Sequence, residues 1–226
     1  MTAVSSHRRL GTRGKPEESR AAILKAALSE FADHGIDGAR MDAIAKRARV
    51  NKALLYYYFK SKDALYEAVI LYVFTGMRDR LSPVLESDAS PRQKILDFAA
   101  TYFDYIAQKP NFPRAIHAGR SHSAHQHSQQ MHQMTGECMR PVYQQLGKVL
   151  HEGIDAGEFR PFDPEDLVPT LVAIIIFYFV EAQVIRNVSQ EDPLSPKRLA
   201  KHRVFILDFI SSALFTHPQR KQGARV

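Results

Sequence analysis

What the chain lacks narrows it first. It has one cysteine, Cys138, so no disulfide can form within it, and a reducing compartment, the cytoplasm, is expected. The amino terminus has no apolar signal core. The longest apolar run, Leu167 to Val180, is 14 residues long and contains Pro169 and Thr170. That is too short to span a bilayer, so it reads as a buried core or interface helix, and no membrane partner is expected. There is no HExxH, GxSxG, phosphate loop or GxGxxG. Neither an enzyme nor a bound cofactor is therefore expected. Strand-type alternation never lasts more than a few residues and no internal repeat is visible, which leaves an all-α chain of about nine helices.

What is present is distributed unevenly. A hydrophobic content of 45% suffices for an ordinary core. The net charge of +7 is confined to one end: residues 1–62 hold 13 Lys and Arg against 6 Asp and Glu, while residues 63–226 hold 18 of each. A basic footprint restricted to one segment is what phosphate binding requires; the competing reading is a solubilising face. Within that segment, Met41 to Lys62 reads as two short helices joined by a tight turn. Met41, Ile44, Ala45 and Ala48 share one face of the first. Asn51 is an N-cap for the second, which buries Leu55 and Phe59. Helix, short turn, helix is the unit that lays its second helix in the DNA major groove.

A helix ending at Gly35, then MDAIAKRARV, then NKALLYYYFKSK, resembles the amino-terminal domain of the TetR family of bacterial transcriptional regulators over about residues 16–76. Two departures stand out. The family usually has Gly where Arg49 stands in the turn, and often Thr or Ser where Ala39 and Arg40 stand. If that turn needs a positive φ, Arg49 costs about 1 kcal/mol that glycine would not.

The expected organisation is a basic arm at 1–15, a helix-turn-helix domain at 16–76 with its motif at about 39–58, a larger helical domain at 77–215 and a loose tail at 216–226. Helix one starts near Pro16 and ends at Gly35. Helix four runs from Lys62 and stops by Pro83. Helix five begins at Ser90-Pro91, and a short helix follows at 111–119. The polar run from Arg120 to Cys138 reads as an exposed turn, after which a helix reaches Ala156. Asp163-Pro164 opens helix eight, drawn unbroken to about Val188, and Ser195-Pro196 opens the last.

Candidate base contacts are Lys52, Ala53 and Tyr57, with Arg40 and Met41 from the start of the preceding helix. Tyr56, Lys60 and Lys62 are candidate phosphate contacts, and the resemblance supports Tyr56 and Lys62 in that role. The expected partners are double-stranded operator DNA, a second copy of the chain and a small-molecule effector. A reading helix this short needs a two-fold dimer on a palindrome to specify a long site. The resemblance implies that the last two long helices pair across that dimer. Leu171, Ile174, Ile175, Tyr178, Phe205 and Phe209 are candidates for core or interface, and the sequence does not separate the two fates. The resemblance also implies release of DNA when an effector binds the larger domain. Tyr102, Phe103, Phe112, His117, Arg120, Tyr143, Phe177 and Tyr178 form a candidate lining, each of them singly also a plausible core residue. His122, His125 and His127, with His132 beyond, have spacings that can hold zinc, nickel or copper, but no carboxylate accompanies them, so no metal is assigned. The reading is thus a ligand-responsive repressor. The alternatives are a metal- or protonation-responsive regulator of the same fold and, in another class, a metal enzyme centred on those histidines.

Overall fold

The computed structural model describes the backbone of residues 16–118 and 125–216 and the side chains of 16–116 and 133–216. The expected arm at 1–15, most of the tail, and the side chains of His117, Arg120, His122, His125 and His127 lie outside the described residues.

Ten helices make up the described chain. Helix α1 (Pro16–Gly38) opens on a first-turn proline followed by Glu17 and Glu18, which suit the positive helix end. It is interrupted at Gly35 (φ 67°, ψ 177°), a conformation that an L side chain would resist. Helices α2 (Met41–Ala48) and α3 (Lys52–Tyr58) follow. The first three close around Ile23, Phe31, Ile44, Ala45, Leu55 and Phe59, all buried. Burying each of the larger of these side chains contributes about 1.5–3 kcal/mol.

Helix α4 (Lys62–Glu86) is capped by Ser61, whose Oγ accepts from Ala64 N. It runs three residues past the stop expected at Pro83. Proline removes one i→i−4 bond, but the helix ends soon after, and Leu81 and Leu85 on either side are buried. Helices α5 (Pro91–Ala107) and α6 (Asn111–Ala118) precede the long α7 (His125–Asp155). The helix expected to start near Cys138 thus starts at His125, within the stretch read as a turn. Helices α8 (Pro164–Val180) and α9 (Ala182–Ser189) replace the single helix expected to Val188, with a bend of 58° between them. No proline or glycine marks the break, so periodicity ran through it; the Tyr178 hydroxyl donates to Pro193 O and draws the following loop back under α8. Helix α10 (Pro196–Leu214) closes the body.

The larger core sits among α4, α5, α7, α8 and α10, with Phe98, Phe103, Leu146, Ile175, Phe179 and Ile210 buried. The chain end is pinned to the α7–α8 loop. Phe159 and Phe215 pair as an isolated antiparallel bridge and stack at 5.4 Å, and Phe159 lies so close over Gly153 that a methyl there would enter its ring. No single described helix is long and apolar enough to cross a membrane.

Candidate nucleic-acid interface

The turn between α2 and α3 fixes this site. Arg49 adopts the left-handed conformation (φ 58°, ψ 35°) that the family usually gives to glycine. Its N–H reaches Lys46 O, and the Val50 N–H reaches Ala45 O at 3.0 Å. This doubly bonded helix end satisfies two carbonyls of α2 and holds the turn even without glycine. Asn51 then caps α3, its Oδ1 accepting from Leu54 N at 2.7 Å. Such a cap contributes about 1 kcal/mol.

With the turn set, α3 divides cleanly. Leu55 and Phe59 face the core, while Lys52, Ala53, Tyr56, Tyr57 and Lys60 face solvent. Tyr57 is 79% exposed, far more than an uncommitted tyrosine in a small domain usually is. Arg40, immediately before α2, is exposed and Met41 is half-buried. The four α3 candidates, Lys60 just beyond the helix and Arg40 therefore lie on accessible surface of the two-helix unit. Tyr58 belongs to the scaffold instead, its hydroxyl donating to Pro16 O at 3.1 Å.

Two of the candidates already have protein partners. The Lys52 ammonium lies 2.8 Å from Asp42 Oδ1, and this hydrogen-bonded carboxylate raises its pKa. Lys62 Nζ donates to Asp37 O at 2.9 Å and Ala39 O at 3.3 Å, tying the start of α4 to the connection between α1 and α2. An ammonium has three donors, so one remains for another acceptor. Sequence reasoning missed Glu30, a buried carboxylate whose Oε1 accepts from Arg40 N at the entry to α2. Nothing in the sequence signals it, because donor and acceptor are ten residues apart.

The head is joined to the body through α6. The Tyr66 hydroxyl of α4 donates to Ala115 O at 3.0 Å in a buried setting, and burial pushes its pKa up to about 12. Arg114 donates to Ala32 O of α1 and lies 3.8 Å from Asp33, which is 3.9 Å from Arg47 of α2.

The residues proposed for an effector pocket are scattered by the fold. Phe103 packs on Phe179 and Phe112 on Phe74, both fully in the core, and Tyr102 is buried. Phe177 points outward, 62% exposed, and Tyr178 stacks on His202 at 3.7 Å. Tyr143 lines a depression, a cavity of about 460 Å³ between α4 and α7 bounded also by Phe74, Thr135, Gly136, Met139 and Arg140. Of the interface candidates, Leu171 and Ile175 are buried within the chain, whereas Phe205 and Phe209 are exposed. Among the described residues no group of His, Cys, Asp and Glu is arranged to hold a metal ion.

Residues 23–69 match the family model described as bacterial regulatory proteins, tetR family, and residues 91–210 match a tetracyclin repressor-like C-terminal domain. The transcriptional repressor NicS of Pseudomonas putida is 26% identical over 75% of this chain and 77% of its own. The transcriptional activator FasR of Mycolicibacterium smegmatis is 30% identical over 67% and 68%. The crystal structure of the TetR-family regulator PfmR from Thermus thermophilus superposes with a TM-score of 0.67 at 18% identity, covering 84% of this chain and 97% of that one. These relatives are named as regulators of transcription, not as enzymes. The second family model alone spans more than half of the chain, and together with the helix-turn-helix geometry it shows that the chain belongs to the tetR family of bacterial regulatory proteins and is a DNA-binding regulator of transcription.

Proposed function

We propose that the chain is a homodimeric repressor that binds a palindromic operator through α2 and α3 and lets go when a small molecule enters its larger domain. Residues 16–76 would form the reading head and 77–215 the sensing and pairing body. The observation that carries the DNA assignment is the outward face of α3, where Lys52, Ala53, Tyr56, Tyr57 and Lys60 stay exposed while Leu55 and Phe59 anchor the helix from behind. Residues near the start of a reading helix meet base edges and those near its end meet phosphates, which gives Lys52 and Ala53 the first task and Lys60 the second; the more exposed ring, Tyr57, is given to the bases and Tyr56 to a phosphate. Arg40 and Met41 approach from the start of α2, and the spare donor of Lys62 faces the backbone.

Release follows from how the head is held. The depression at Phe74 and Tyr143 abuts α4, and α4 carries the head through Ser61 and Lys62. A ligand wedged there tilts α4 and changes the separation of the two reading heads in the dimer. To act, it must bind the off-DNA arrangement more tightly than the DNA-bound one.

The test is a selection of bound fragments from genomic DNA with the purified full chain, followed by fluorescence anisotropy on the enriched duplex. The expected result is a palindromic site bound by two chains with a steep salt dependence. Failure to enrich any duplex would overturn the reading.

A further inference from the structure

The exposed ion pair between Asp42 and Lys52 is more than folding requires. It joins the first turn of α2 to the first residue of α3, with both side chains more than half exposed. An exposed pair of this kind contributes little to stability. Asp42 also suits the positive end of α2, as a first-turn carboxylate does, but that role needs no partner on α3. Yet the carboxylate stands on the face that meets polyanionic DNA, where an unpaired negative charge weakens binding.

The geometry suits a base-pair edge. The ammonium nitrogen and carboxylate oxygen are 2.8 Å apart. In the major groove, guanine O6 and cytosine N4 of one pair are themselves hydrogen-bonded, about 2.9 Å apart, and each still offers an acceptor or a donor to the groove. A donor and an acceptor held at that spacing can meet both at once, the ammonium on guanine O6 and N7 and the carboxylate on the cytosine amino group. The reversed pair would oppose like groups.

We propose that Asp42 and Lys52 act as one reading unit for a G·C base pair in each half-site, with Asp42 a specificity residue that accepts from the cytosine amino group. The inference rests on the DNA-binding reading given above. It distinguishes Asp42 from the cations assigned to phosphate: Lys60 and Lys62 raise affinity for any duplex, whereas Asp42 lowers it and gives selectivity in return.

The experiment is selection from a randomised duplex pool with the full-length wild type, Asp42→Asn, Asp42→Glu and Lys52→Met, each first checked for an unchanged thermal melt. The wild type should enrich a site with a G·C preference at one position per half-site. Asp42→Asn should relax that single position about tenfold while binding unselected duplex more tightly. Asp42→Glu should keep the preference, and Lys52→Met should lose it. If Asp42→Asn enriches the same site with the same stringency, differing only by a uniform change in affinity, the inference is overturned and the DNA-binding reading stands. If the wild type enriches nothing, both fall.

Discussion

Two of the surfaces on which the described residues expose aromatic rings differ in kind. On α3 they are tyrosines, Tyr56 at 41% and Tyr57 at 79% exposure, with the Lys52 ammonium 6.0 Å from the Tyr56 ring and the exposed Lys60 just beyond the helix. On α8 and α10 they are phenylalanines, Phe177, Phe205 and Phe209, with Phe205 stacked on Phe209 at 6.1 Å. A tyrosine can keep a phosphate or water on its hydroxyl, so the α3 surface is built for a wet, charged partner. A bare phenyl surface has no such recourse. Exposed apolar side chains of this size suit a surface that protein covers, which is the pairing surface proposed above. Charge follows the same division, since the whole excess of +7 lies before residue 63.

The largest effect is expected where the phenyl surface is broken. Phe205→Glu with Phe209→Glu places two carboxylates on α10 without touching the buried Ile206 and Ile210 behind them. The helices should remain folded by circular dichroism while self-association weakens more than a hundredfold, because buried aromatic anchors dominate such interfaces. Sedimentation velocity across a concentration series reads this directly. Unchanged association would move the pairing surface elsewhere.

The tyrosine surface should respond less and in a different variable. Tyr56→Phe with Lys60→Ala removes one hydroxyl and one cation. Affinity should fall about tenfold on all duplexes alike, and the slope of log affinity against log salt should flatten by about one for each lost cation–phosphate contact. An unaltered slope would remove Lys60 from the backbone contacts. Lys62 is a poorer choice for this test, since its ammonium also holds the carbonyls of Asp37 and Ala39, and its loss would mix folding with binding.

Those two surfaces were not equally legible in the sequence. The head could be read almost residue by residue, because its signals are local: Pro16 at a helix start, Gly35 at a break, Asn51 as a cap, and Leu55 and Phe59 one turn apart. What escaped were partners distant along the chain, such as Glu30 beneath Arg40 and Asp33 between Arg47 and Arg114. The body was legible only as periodicity. A stripe tells that α8 has apolar faces, not which one a neighbour covers, so Leu171 and Ile175 stood with Phe205 as interface candidates although the fold buries them. The break at Glu181 has no proline or glycine to announce it. The pocket candidates are aromatic residues near polar ones, a pattern that Phe103 and Phe112 satisfy equally well as core.

Within the head, the turn offers a smaller test. Arg49 sits at φ 58°, where a Cβ is unfavourable. Arg49→Gly relieves that at the cost of a more flexible unfolded chain, and the net should be a stabilisation of up to about 1 kcal/mol in urea titration. The same change removes a cation from the basic head, so nonspecific DNA affinity should fall slightly as stability rises. The two readouts moving in opposite directions would separate the turn's conformational role from its electrostatic one.

The subtlest effect lies beneath the phenyl surface. His202 on α10 stacks on Tyr178 and contacts Phe103 and Phe205, and its Nε2 has no hydrogen-bond partner among the described residues. Burial, helped by the positive charge of Arg198, lowers its pKa below the ordinary 6.5. The folded chain therefore takes up this proton later than the unfolded chain does as pH falls. Stability from the neutral ring is complete above 6.5 and declines as the pH drops below it. The chain has other histidines, so the informative quantity is a difference. His202→Phe keeps the stack and removes the proton site, and its melting temperature should fall less than that of the wild type between about pH 8 and about pH 5. If both fall equally, His202 does not couple protonation to the packing of α10, and acid sensitivity belongs to the histidines elsewhere in the chain.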